Sequence, residues 1–192
     1  MRGAPSFTPP SKPISTEYSL AITGIKLKPA LIVLDIQNVW LDMSESLKES
    51  VKKRAKTINE AIAWFRKSGR PIIVVYHTDK GKGPEPGTKA FEVSDLISVK
   101  DTDIKVVKNH PNSFGGTGLH ELLKKQGCDS ILIVGLSANW CVLATFFGAM
   151  DWGIDPWVLK GGVAATPEEH VRFAEETCEA ITLEKLEELT SK

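Results

Sequence analysis

Residues 130–141 read SILIVGLSANWC. The run Ser130–Leu136 is apolar without alternation, which suits a strand buried on both faces rather than one half open to water. It breaks at Ser137, and a helix begun near Ala138 or Asn139 places Cys141 in its first turn. Backbone N–H groups there lack helical partners and favour an anion, so position alone helps a thiolate. The competing reading is an inert core thiol, because Trp140, Val142 and Leu143 flank it.

Working outward, the same signature recurs in ALIVLDI (30–36), PIIVVYH (71–77), IKVVK (104–108) and DPWVLKG (155–161). Helical spacing separates these runs. Leu47, Val51, Ala55, Ile58, Ile62 and Phe65 recur at steps of three and four over 45–68, with Lys52, Lys53 and Arg54 assigned to the solvated side. Thr117 is placed to cap a helix over 118–127 that stops at Gly127. Thr166, Pro167 and Glu169 read as N-cap, N1 and N3 of another helix. Strands alternating with helices predict an α/β fold, a three-layer α-β-α, doubly wound and mostly parallel sheet of the Rossmann-like kind.

The chain of 192 residues suits one domain, over 29–192, behind a partly irregular arm over 1–28. Four prolines fall within residues 1–16, and EYSLAITGIKL (17–27) is a candidate edge strand or hairpin. Lys plus Arg and Asp plus Glu both number 24, which argues against nucleic-acid and membrane partners and for a small molecule or a protein. Cys128, Cys141 and Cys178 are odd in number and widely spaced, unlike a disulfide framework or a zinc knuckle. A cytoplasmic setting is expected, with neither a secretory leader nor a membrane span.

In doubly wound folds ligands sit beyond the carboxyl ends of the strands. Asp35, Lys108 and Cys141 stand at or just after three such ends, so all three should reach one rim of the sheet. Together they suit amide hydrolysis: Cys141 attacks a carbonyl carbon, Lys108 supplies positive charge, and Asp35 takes the thiol proton and returns it to a leaving amine. Amides of the GLSAN turn are placed to meet the oxyanion. Taken singly, Asp35 also reads as a turn cap and Lys108 as a surface charge.

LIVLDIQN (31–38), KNHPNSFGGTGL (108–119) and LIVGLSANWCVLATFFGAMDWG (132–153) resemble, in order and spacing, the three motifs of the isochorismatase-like cysteine hydrolases, which include nicotinamidases and N-carbamoylsarcosine amidases. The resemblance runs from about Ala30 to His170. It implies a catalytic set of Asp35, Lys108 and Cys141, a cis Leu136–Ser137 peptide, and an oxyanion hole from the amides of Ser137 and Cys141. Gln37, Trp40, His110, Phe114 and Trp140 are the expected substrate-binding positions, and a homodimer or homotetramer is the expected assembly.

This chain departs from that pattern in places. The D-x-H…H metal cluster of related nicotinamidases is reduced to His77 with Thr78 and Asp79, so no metal and no cofactor is expected. His77 reads as a strand-end or pocket-wall residue, and Gly161–Gly162 replaces a usual Asp-Ala. The Gly- and Pro-rich segment 78–96 reads as a lid, a subunit contact or a flexible loop. Three other functions compete with amide hydrolysis: a vinyl-ether hydrolase of the isochorismatase type, a non-catalytic binding or assembly subunit, and a serine hydrolase using Ser137, Asp155 and His170.

Overall fold

The computed structural model describes residues 27–79, 81 and 83–191. Five strands form its sheet: β1 (Pro29–Leu34), β2 (Ile72–His77), β3 (Ile104–Lys108), β4 (Ser130–Leu136) and β5 (Asp155–Ala164). Their order is β3-β2-β1-β4-β5, and every neighbouring pair is parallel. The chain winds outward from β1 to β3, then crosses back to place β4 on the other side of β1. That reversal puts the topological switch between β1 and β4, where folds of this kind place ligands at the carboxyl ends.

The apolar runs lack alternation because both faces are covered. Leu31 and Val33 of β1, with Leu132 and Val134 of β4, meet α1 (Asn38–Met43), α2 (Glu45–Lys67) and α6 (Leu183–Ser191) through Leu41, Val51, Ile58, Ile62, Phe65 and Leu186. Ala30, Ile32 and Leu34, with Ile131 and Ile133, face α3 (Leu119–Lys125), α4 (Leu143–Asp151) and α5 (Glu169–Thr177) through Leu119, Leu123, Ala149, Val171 and Ala174.

Helix ends follow the expected chemistry in part. Ser44 Oγ accepts from the N–H of Leu47 to cap α2, and Gly127, at φ 68°, ends α3. Thr117 Oγ1 accepts from the N–H of Leu119, although the left-handed Gly118 stands between Thr117 and the helix. The cap expected at Thr166 is corrected: Thr166–Pro167 is cis, α5 begins at Glu169, and the Thr166 hydroxyl lies against Ser46 Oγ at 3.3 Å. Arg54 is also corrected. It is buried, ion-pairs with Glu168 and bonds Ser50, which ties α2 to the segment before α5.

β5 continues beyond the expected end at residue 161. Its pairing shifts between Ile133 and Gly135 of β4, and Gly161, at φ 70°, takes the left-handed turn of the irregularity. The carboxylate of Glu175 accepts from the Gly161 N–H at 2.7 Å. The segment expected over 78–96 is anchored at its far end, where Phe91 is buried and stacks on Tyr76 and Ser94 N–H donates to the Ile36 carbonyl. The arm expected over 1–28 and the edge strand expected over 17–27 lie, but for Leu27 and Lys28, outside the described residues. Leu27 is part of the core.

Candidate functional site

Asp35 is the first residue past β1. It adopts φ 54°, a left-handed turn that Asp tolerates better than most residues, and its carboxylate is buried. Directly beside it, Gly135 of β4 adopts φ 120°, and a Cβ there would stand 2.2 Å from the Leu34 carbonyl oxygen. Glycine is required for the two strand ends to approach this closely.

Lys108 closes β3 in register with His77, the last residue of β2. Its side chain is fully buried, an arrangement that a lysine sustains only with charge partners and acceptors around it. Nζ lies 2.8 Å from Asp35 Oδ2, donates to His77 Nδ1 at 2.9 Å and to the His110 carbonyl at 3.2 Å, and lies 3.3 Å from Cys141 Sγ. The Asp35–Lys108 contact is an ion pair off the direction of a hydrogen bond, and both carboxylate oxygens lack a directed donor.

Cys141 arrives on a wide turn. The Leu136–Ser137 peptide is cis, and the chain then winds through Ala138–Val142 with a π-type bond from Val142 N–H to the Ser137 carbonyl. Such turns recur at functional sites because they re-aim a side chain without ending the helix. The loop after Lys108 is fastened to α4: Ser113 N–H donates to Thr145 Oγ1 at 3.1 Å, the two hydroxyls lie 2.9 Å apart, and both residues are buried. These contacts fix the lysine's strand end against the helix that follows the cysteine's turn.

Electrostatics sets the resting protonation. Burial raises the Asp35 carboxyl above its ordinary range against the opposing pull of Lys108. Burial, and then the charge of Asp35, push the Cys141 thiol up to about 12. Lys108 acts the other way and lowers it, so burial and Asp35 oppose the help that the turn and the ammonium give an anion. Burial and the Lys108 charge lower the His77 imidazole, so it is neutral and its Nδ1 is free to accept.

Asp35, His77 and Cys141 each offer a ligand atom, and these atoms lie within 4.8 Å of one another. A carboxylate, an imidazole and a thiol are a donor set for zinc. The Lys108 ammonium, however, already stands beside all three at 2.8–3.3 Å, so the residues present do not fit a resident metal ion.

The expected substrate-binding residues separate into groups. Gln37 is fully buried, its carboxamide taken by the backbone N–H and carbonyl of His77 and by Trp40 Nε1, so it holds the wall rather than touching a ligand. Phe114 lies in the core beside Leu119 and Leu123. Trp40 is half-buried and stands edge-on to His77, Trp140 is exposed beside Cys141, and His110 is exposed with its carbonyl turned to Lys108. The Ser137 hydroxyl donates to Asn139 Oδ1 at 3.1 Å, not to an imidazole or a carboxylate as a serine nucleophile would require. His77, expected as a strand-end or pocket-wall residue, closes β2 and reaches Lys108 Nζ; the adjacent ends of PIIVVYH and IKVVK were the signal for that contact.

Against known proteins, the model of the Isochorismatase domain matches residues 29–185. The chain belongs to the isochorismatase family. The uncharacterized isochorismatase family protein YddQ of Bacillus subtilis is 27% identical over 157 residues, covering 76% of this chain and 87% of that protein. The secreted isochorismatase effector Isc1 of Verticillium dahliae is 30% identical over 135 residues, covering 69% and 70%. Among solved structures, N-carbamoylsarcosine amidase from Thermoplasma acidophilum superposes with a TM-score of 0.70 at 26% identity, covering 81% of this chain and 95% of that one. The protein is thus an isochorismatase-family hydrolase with the family's α/β fold. No helix among its described residues is long and apolar enough to cross a membrane.

Proposed function

We propose that this protein is a cysteine-dependent hydrolase that cleaves a C–N bond of a small amide or ureido compound through a thioester. The observation that carries the reading is the position of Lys108 Nζ, 2.8 Å from Asp35 Oδ2 and 3.3 Å from Cys141 Sγ. An ammonium between a carboxylate and a thiol lets a proton pass from sulfur to oxygen while a positive charge faces whichever atom is anionic. The likeness to a structure named N-carbamoylsarcosine amidase supports the choice of a C–N bond.

Burial and Asp35 both oppose a free thiolate, which favours coupling attack to deprotonation. As Cys141 Sγ bonds to the substrate carbonyl carbon, its proton passes to Asp35, and the oxygen becomes an oxyanion facing the amides of Ser137 and Cys141. Collapse breaks the C–N bond, and Asp35 gives its proton to the departing nitrogen. Water then attacks the thioester with Asp35 as base, releasing the acid and restoring the thiol. Trp40, edge-on to His77, and Trp140, exposed next to Cys141 in the chain, suit a flat or apolar substituent.

Ammonia release over a panel of amides, ureido acids and nicotinamide tests the reading, with Cys141→Ala and Ser137→Ala beside the wild type. Turnover of a panel member by the wild type and by Ser137→Ala, but not by Cys141→Ala, is expected. Loss in the serine variant alone would transfer the nucleophile to Ser137. Isochorismate belongs in the panel because a relative is named an isochorismatase; pyruvate release that survives Cys141→Ala would replace C–N hydrolysis with vinyl-ether cleavage.

A further inference from the structure

Among the described residues, His77 is the one titratable side chain in contact with Lys108 to which the proposed hydrolysis gives no part. An ammonium has three N–H donors. Around Lys108 Nζ, among the described residues, stand three acceptors, His77 Nδ1, the His110 carbonyl and Cys141 Sγ, and a fourth partner, Asp35 Oδ2, in an ion pair. Two of these exchange the proton during the reaction. As the thiol proton moves to Asp35 and Sγ bonds to the carbonyl carbon, the negative charge leaves the carboxylate and passes by way of sulfur to the substrate oxygen, and the total charge is unchanged. An ammonium held by those two groups alone would follow the charge as it moved.

The other two acceptors keep their charge throughout. One is a main-chain carbonyl of the exposed His110, and the other is the imidazole of His77, which the structure holds from several sides. Gln37 Oε1 accepts from the His77 N–H at 2.7 Å, Gln37 Nε2 donates to the His77 carbonyl at 3.1 Å, and the Trp40 ring stands edge-on at 6.0 Å. Gln37 has no exposed surface, so this brace is itself fixed. Since Lys108 can only donate, Nδ1 must be unprotonated where it faces the ammonium.

Resting on the cysteine-hydrolase reading, we propose that His77 is a positioning residue: its Nδ1 pins the Lys108 ammonium between Asp35 and Cys141, so that the charge moves while the cation stays.

Two substitutions separate the acceptor from the ring. His77→Phe keeps an aromatic ring against Trp40 and removes the acceptor. His77→Asn removes the ring and retains an acceptor near the position of Nδ1. Iodoacetamide labelling of Cys141, followed by mass spectrometry across a pH series, reports the thiol whether or not a substrate is known. For His77→Phe, labelling at a fixed pH is expected to slow about tenfold, with kcat on a turned-over panel amide falling about tenfold and KM within about twofold. His77→Asn is expected to recover most of both.

An unchanged labelling profile and kcat in His77→Phe would overturn the proposal, as would equal impairment of His77→Asn, which would make packing rather than the acceptor the cause. If His77→Phe does not fold, His77→Gln, whose acceptor falls near Nε2 instead, takes its place against His77→Asn with the same expectations. The two readings fail separately: a wild type that hydrolyses no panel member defeats the hydrolase reading, while the labelling profile still decides the role of His77.

Discussion

Asp35 and Lys108 meet at 2.8 Å with side chains 3% and 0% exposed, so the negative charge of the site is balanced by a single ammonium shut away from water. The same carboxylate is among the causes that raise the Cys141 thiol. Asp35→Asn therefore separates two effects that a simple loss of activity would merge. Removing the charge lowers the thiol's pKa and makes the thiolate easier to form, which thiolate absorbance or the pH dependence of labelling would register. Removing the base lowers turnover by about 10²–10⁴-fold, the usual contribution of a positioned general base. A variant with a more acidic Cys141 and unimpaired turnover would show that Asp35 is not the proton acceptor.

The pH profile follows from the direction of the Asp35 shift. Burial lifts this carboxyl above the ordinary value of 3.8, and the acceptor is lost once it is protonated. As pH falls through the raised pKa, kcat/KM is expected to drop, with a midpoint above that of an exposed carboxylate. Rates measured down the acid limb, with circular dichroism confirming the fold at each point, check this. A limb at or below the ordinary carboxylate value would be inconsistent with a buried base.

Much of this arrangement was legible in the sequence, because a strand buried on both faces writes itself as an uninterrupted apolar run. The polar residue closing such a run is then conspicuous, as Asp35 and Lys108 are. What stayed hidden depends on partners distant in the chain. Arg54 looked solvated because nothing nearby reveals Glu168, 114 residues on, as its partner. Gly161 and Gly162 looked like a strand's end because glycine signals a turn and an irregularity within pairing equally well. The Thr166 cap failed because the helix starts at Glu169, with Glu168 rather than Thr166 at its N-cap. Gln37 and Phe114 sit within the motifs that carry Asp35 and Lys108, yet their side chains hold the wall and the core.

Gly135 offers a test of how the fold aims the site. Its φ of 120° and the 2.2 Å approach of a Cβ to the Leu34 oxygen leave alanine no place without parting β1 from β4 directly before Asp35. Gly135→Ala is expected to destabilise the protein by on the order of 3 kcal/mol, from combined backbone strain and overpacking. Whatever remains folded should show reduced activity, because the ends bearing Asp35 and Cys141 have separated. Chemical denaturation checks the first outcome, and turnover per folded molecule checks the second.

Lys108→Ala tests whether the lysine holds the place of a cation. Without the ammonium, Asp35, His77 and Cys141 retain ligand atoms within 4.8 Å of one another around an emptied centre. Zinc bonds to imidazole nitrogen and carboxylate oxygen at roughly 2.0–2.2 Å and to thiolate sulfur at about 2.3 Å, so modest closure brings all three within range. The variant is expected to bind one zinc ion more tightly than the wild type and to release the Cys141 proton on doing so, because sulfur binds as thiolate. Calorimetry in two buffers of different ionisation enthalpy reads both affinity and proton release. Adding His77→Phe should remove a ligand and weaken binding by about tenfold or more. Equal zinc affinity in the wild type and Lys108→Ala would mean that the ammonium does not occupy the centre of the ligand set, and the four distances around Nζ would lose that reading.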